Sequence, residues 1–223
     1  MGKGGARRRT RSSEAGEAAR SRILHATLET IRTEGMVGAS ARAIARTGGF
    51  NQASIYYHFG SVNDLVLAAV RQMSAERLAR YDARLAAVAS LAELARVGAE
   101  LHEEDVASGN IMVLAQVLAG ATGDPELSAA LGEVFGDWEA MLTTALRRAV
   151  ASSPLRDALP IAALAQLVAA LFLGIELVTQ LEPNAGRGPQ LFDALDGIAA
   201  LMEGFIQSAP PIWSVSAARR EAG

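Results

Sequence analysis

The chain contains no cysteine. That excludes a disulfide framework, thiol catalysis and thiolate metal sites, and it fits the reducing cytoplasm, where the protein is expected. Lysine is nearly missing too: of 21 basic residues only Lys3 is a lysine. No strand-like alternation and no internal repeat is evident. The N-terminal arginines are not followed by an apolar run, so a secretory signal is not expected. A membrane span is not expected either. The most apolar stretch, 159–181, is interrupted by Gln166, Glu176, Thr179 and Gln180, and its longest run free of charges and amides is 167–175, short of the roughly 20 residues a span requires. A helix apolar nearly all round is instead buried on two sides.

What is present is a globular composition. Half of the 223 residues are hydrophobic and a fifth are charged, enough for one large or two modest domains with a sizeable core. Charge is divided unevenly. Residues 1–60 carry ten Lys or Arg against four Glu, or +6, and the remainder carries eleven against twenty, or −9, together the net −3. A basic head suits the phosphate backbone of a nucleic acid, while an acidic body stays off it.

The head is organised around 40–59, SARAIARTGGFNQASIYYHF. Ser40 is an N-cap residue, Ile44 and its alanines form an apolar stripe, and Gly48-Gly49 supplies a reversal that residues with a Cβ resist. Asn51 caps a second helix on which Ile55 and Phe59, four apart, point inward. Gln52, Ser54, Tyr56 and Tyr57 are left outward. A short helix with such a face, reached by a tight turn, suits a DNA major groove. On these residues alone, a helical hairpin whose polar face is merely wet fits as well.

Residues 23–65 resemble the N-terminal domain of TetR-type (TetR/AcrR) transcriptional repressors. The matching residues are Ile44-Ala45-Arg46-Thr47-Gly48-Gly49-Phe50, then Ile55-Tyr56-Tyr57-His58-Phe59, then Ser61-Val62-Asn63-Asp64-Leu65. The close match covers about a fifth of the chain; the rest resembles the family in length, helical content and an apolar C-terminal half. Three departures stand out: Asn51 replaces the usual Ser or Thr, Phe50 the usual Val, and Val62 a lysine near phosphate. The resemblance implies an all-α fold, with a three-helix helix-turn-helix domain followed by a larger helical ligand-binding and dimerisation domain. It also implies a homodimer on double-stranded, palindromic operator DNA, a small-molecule effector, no cofactor and no catalysis. Arg42 and Gln52 are the first candidates for base edges, followed by Ser54 and Tyr57. Ser40, Tyr56 and the Val62 amide position the phosphate backbone, with Asn51 at the entry to the recognition helix. His58 is structural.

The remaining punctuation divides the chain into a disordered basic arm (1–19), the DNA-binding domain (20–62), the ligand-binding and dimerisation domain (63–208) and a tail (209–223). Helices are expected over about 17–34, 61–87, 91–107, 111–121, 125–151, 160–181 and 190–207, the first stopped by Gly35. The helix from Ser61 is long enough to carry motion from head to body. A cavity implied by the resemblance draws candidate lining from Met112, Gln116, Phe135, Trp138, Met141, Phe172 and Glu176, though ordinary core fits most such residues. His102-Glu103-Glu104-Asp105 reads as a solvated charged turn rather than half of an acid–base or metal site. The other reading of the chain is a helical interaction module without sequence-specific DNA binding.

Overall fold

In the computed structural model, residues 3–154, 156–181 and 186–208 are described, and they form nine helices without a strand. These are α1 (Lys3–Gly38), α2 (Ala41–Gly48), α3 (Ala53–Phe59), α4 (Val62–Leu85), α5 (Leu91–Ser108), α6 (Asn110–Ala121), α7 (Pro125–Ala149), α8 (Ile161–Leu181) and α9 (Arg187–Ser208). The all-α expectation holds, with two differences at helix starts. Helix α1 is helical from Lys3, through most of the stretch read as a disordered arm. That stretch has no proline, and its arginines and alanines are good helix formers, so an already nucleated helix extends through it in spite of Gly4, Gly5 and Gly16. Gly35, at φ 79° and ψ 166°, breaks it where a stop was expected. Helix α9 starts at Arg187 and takes in Gly188 and Pro189, read as part of a break; proline is tolerated in a first turn because the N–H it lacks has no partner there. The tail 209–223 lies outside the described residues.

The chain folds as two compact units that are not contiguous in sequence. Unit 1 is Met1–Ala75 with Met112–Gly132; unit 2 is Glu76–Ile111 with Glu133–Gly223. Besides α1–α3, unit 1 thus holds the first part of α4, most of α6 and the start of α7.

In unit 1, Ile23, Leu24, Ile44, Ile55 and Leu65 share one core with Ala26, Ala41 and Ala69, and Leu28, Phe50, Phe59 and Val62 pack around it. Ile31, Ile44, Ile55 and Leu65 are entirely buried. In unit 2, Tyr81, Leu85, Val97, Leu101, Met141, Leu142, Leu146, Ile161 and Ala165 are core, flanked by Trp138 and Phe172. The large apolar residues left exposed there cluster on two helices: Leu167, Leu171 and Leu181 on α8, and Leu191, Ile198, Leu201, Met202 and Phe205 on α9.

Candidate nucleic-acid interface and buried polar cluster

The turn between α2 and α3 is fixed by local chemistry. Ser40 Oγ accepts from Ala43 N at 3.2 Å and caps α2. Gly49 sits in the left-handed region at φ 64°, ψ 39°, and its N–H closes back on the carbonyls of Ala45 and Arg46. A Cβ on Gly48 would lie 2.1 Å from the Phe50 ring and 2.8 Å from Ala26 Cβ, so two helices approach there as only glycine allows. Asn51 Oδ1 accepts from Ala53 N at 2.9 Å, capping the entry to α3 from one residue earlier than a regular N-cap.

With Ile44 and Ile55 inward, the other faces of α2 and α3 are presented to solvent. Arg42, Asn51 and Gln52 are exposed, Ser54 is half-buried, and Tyr56 and Tyr57 are 53% and 85% exposed. Ser61 Oγ accepts from Asp64 N at 3.0 Å and donates to Asp64 Oδ2 at 2.6 Å, a reciprocal cap at the start of α4. This sets Val62 in the first turn, with Asp64 as an acidic neighbour. His58 stacks edge-on against Tyr57 at 4.9 Å. Arg46 pairs with Glu34 at 2.6 Å, and the Arg20 guanidinium lies 4.8 Å over the Phe59 ring.

The seven candidate cavity residues are divided between the two units. Met112 and Gln116 belong to unit 1, where Gln116 Oε1 accepts from Met36 N at 2.7 Å, just past the break at Gly35. Phe135, Trp138, Met141, Phe172 and Glu176 belong to unit 2. Of these, Trp138, Phe172 and Glu176 join a cluster that also holds residues the sequence did not single out for a site.

Arg77, Asp105 and Glu176 are all buried, from α4, α5 and α8. The Arg77 guanidinium donates to Asp105 Oδ2 and, at 3.3 Å and 3.4 Å, to both oxygens of Glu176. The Tyr81 hydroxyl donates to the same Asp105 oxygen. Above them the guanidinium lies 5.1 Å from the Trp138 ring centre and 5.6 Å from that of Tyr81. Tyr81, Trp138, Phe172, His102 and Phe192 continue as a chain of aromatic contacts at 4.9–6.3 Å. His102 and Asp105 are buried while Glu103 and Glu104 between them face out, so the charged run is solvated on one side only. An i, i+3 spacing on α5 brings the two inward together.

Burial pushes the Glu176 carboxyl up to about 9, against the pull of Arg77. Burial also pushes the Tyr81 hydroxyl up and the His102 imidazole down. Burial works against the charge of Arg77 as well, but the carboxylates of Glu176 and Asp105 more than offset it. Among the described residues no group of three or more His, Cys, Asp or Glu side chains is placed to hold a metal ion.

Residues 23–69 match the family described as bacterial regulatory proteins of the tetR family. An uncharacterized HTH-type transcriptional regulator of Mycobacterium tuberculosis is 23% identical over 126 residues, 56% of this chain and 65% of that protein, just under two-thirds of its length. Two solved structures share the fold. One, a TetR-family transcriptional regulator from Cytophaga hutchinsonii, has a TM-score of 0.71 at 17% identity, covering 88% of this chain and 98% of its own. The other, a candidate transcriptional regulator from Saccharomonospora viridis solved in complex with choline, has a TM-score of 0.69 at 23% identity, covering 81% and 95%.

Proposed function

We propose that this chain, whose N-terminal domain is that of the TetR family of bacterial regulatory proteins, is a cytoplasmic, homodimeric repressor that a small effector releases from a palindromic operator. The observation that carries the reading is the division of α2 and α3 into two faces. Ile44 and Ile55 are wholly buried, while Arg42, Gln52, Tyr56 and Tyr57 are presented together on an otherwise well-packed head.

Arg42 and Gln52 are the base-reading pair, because a guanidinium matches the two major-groove acceptors of guanine and an amide matches the acceptor–donor edge of adenine. Ser54 and Tyr57 flank them. Ser40, Tyr56 and the Val62 amide hold phosphates, and Asn51 fixes the entry of the recognition helix. Selection of bound sequences from a random duplex library, followed by titration at two salt concentrations, tests the reading. The expected result is an enriched palindrome, half-sites about 34–36 Å apart, and a steep loss of affinity with salt. Arg42→Ala is expected to weaken each half-site by about 1–3 kcal/mol and erase one guanine preference; unchanged preference in a repeat selection refutes the assignment. If selection enriches nothing even with stripped, refolded protein, the chain is a helical interaction module instead.

The dimer is assigned to the uncovered apolar faces of α8 and α9. Leu201 is 77% and Phe205 72% exposed, a cost in water that a symmetry mate removes. Sedimentation of Leu201→Glu/Phe205→Glu protein is expected to give monomers where the parent gives dimers. A dimeric double variant places the interface elsewhere. The effector site is assigned to unit 2, around Trp138, Phe172 and Glu176. An effector there acts by differential affinity for a state whose paired heads miss successive grooves.

A further inference from the structure

Affinity that falls steeply with salt requires the release of counterions, and cations placed at phosphates are what release them. The recognition helix brings none. From 47 to 70 the sequence holds no Lys or Arg, and with His58 neutral its one formal charge is the carboxylate of Asp64. Ser40, Tyr56 and the Val62 amide can hold phosphates but neutralise none. Among the neighbouring arginines, Arg46 is tied to Glu34 and Arg32 to Glu29, and Arg42 is assigned to bases. The charge has to come from another element.

Helix α1 is placed to supply it. The Arg20 guanidinium lies 4.8 Å from the centre of the Phe59 ring, and that of Arg22 lies 5.8 Å from the centre of the Phe50 ring. Phe59 is the last residue of α3 and Phe50 stands three residues before its first, Ala53. Both rings pack on the core of the head. One arginine is thus held at each end of the recognition helix. A ring face attracts a guanidinium without neutralising it and leaves N–H donors for an oxygen acceptor. Neither arginine pairs with a carboxylate among the described residues, although Glu17 lies about one turn before Arg20. Arg22 is exposed and Arg20 half-buried. Arg7, Arg8, Arg9 and Arg11 come earlier on the same helix, the nearest of them about 13 Å of helix before Arg20.

We infer that Arg20 and Arg22 are phosphate clamps: mounted on Phe59 and Phe50, they take the DNA phosphates at the two ends of α3 and supply the positive charge that the recognition helix lacks. The inference rests on the reading of α2 and α3 as the DNA-binding face. A helix whose middle enters a groove has its ends toward the groove's edges, where the phosphates are, and the planar fork of a guanidinium matches two phosphate oxygens at once. Such contacts set affinity and register but carry no sequence information.

The salt dependence of binding by the full chain to its selected duplex tests this. In Arg20→Met/Arg22→Met protein the apolar stems stay on the rings while the charges go. The slope of log affinity against log salt concentration is expected to become shallower by about 0.9 for each arginine, or about 1.8 for each half-site bound. Arg22→Met alone, at an exposed side chain, is expected to lose about 0.9, so the result does not hang on the folding of the double variant. Arg20→Lys/Arg22→Lys keeps the charges and is expected to keep the parent's slope, and all variants are expected to select the parent's sequence. Replacing single phosphates of the duplex by uncharged methylphosphonates is expected to weaken the parent about tenfold at one phosphate for each arginine, and to leave the double Met variant unaffected at those phosphates. A slope in the Met variants equal to the parent's assigns the counterion release to Arg7, Arg8, Arg9 and Arg11 and overturns the inference. So does a shallower slope that the lysines fail to restore. A parent that selects a palindrome while the variants keep its slope sinks the clamps alone, whereas a parent that selects no DNA sinks the regulator reading with them.

Discussion

Replacing Arg77 with alanine is expected to destabilise unit 2 by about 3–5 kcal/mol, because it strands Asp105 and Glu176 in the core without their shared cation. In thermal unfolding this corresponds to a drop on the order of 10 °C. The loss has a pH signature. Glu176 is raised from 4.5 to about 9 in the folded chain, so between those values the folded state keeps a proton that the unfolded state has given up. Stability contributed by this group is full below about pH 4.5 and is lost as pH rises toward 9, at up to about 1.4 kcal/mol per pH unit. His102, held below its usual range by burial, works the other way. Unfolded chains take up its proton first as pH falls below about 6.5, so its contribution grows with rising pH across that region. Melts of Glu176→Gln across pH 6–9 should be nearly flat where the parent slopes downward. A parallel slope in the variant assigns the pH dependence to some other group.

Ile55→Ala is the counterpart in the head. Ile55 is completely buried where α3 meets α1, α2 and α4, and truncating it removes three carbons from the centre of a small core. The cost is expected to be about 2–5 kcal/mol, a large share of what a head of this size has to lose. DNA affinity is expected to fall by more than tenfold at 37 °C and to recover partly on cooling, because the base-reading side chains themselves are untouched. Affinity equal to the parent at 37 °C contradicts the role given to Ile55 in holding α3. A circular dichroism melt separates this effect from a loss of contacts, since Arg42→Ala leaves the melt unchanged.

The two sites differ in how far the sequence discloses them. In the head, each decisive residue lies within twenty positions of the next and is a type with one use there: Ser40 to cap, Gly48 and Gly49 to turn, Ile44 and Ile55 to face inward at helical spacing. Local rules suffice, and the structure follows them apart from a one-residue shift in the capping by Asn51. In unit 2, Arg77 lies on a helix studded with arginines, and His102 and Asp105 lie in a charged run, so their types argue for solvent. What buries them is partnership with Glu176 from another helix, and no local pattern carries that. Glu176 itself was visible as the carboxylate inside the most apolar stretch of the chain. The grouping of Met112 and Gln116 with the head was equally out of reach of local rules. Their helix lies in the sequence between segments of unit 2 yet packs within unit 1, where a single amide of Gln116 serves Met36 N.

This last arrangement bears on how the protein can be taken apart or recombined. The head is built from two separated stretches of the chain, and two of its boundaries fall inside α4 and α7. A cassette of residues 20–62 leaves out both α6 and the rest of the unit's share of α4. Substitution on the exposed faces of α2 and α3 is therefore expected to disturb this chain's packing less than exchange of that cassette.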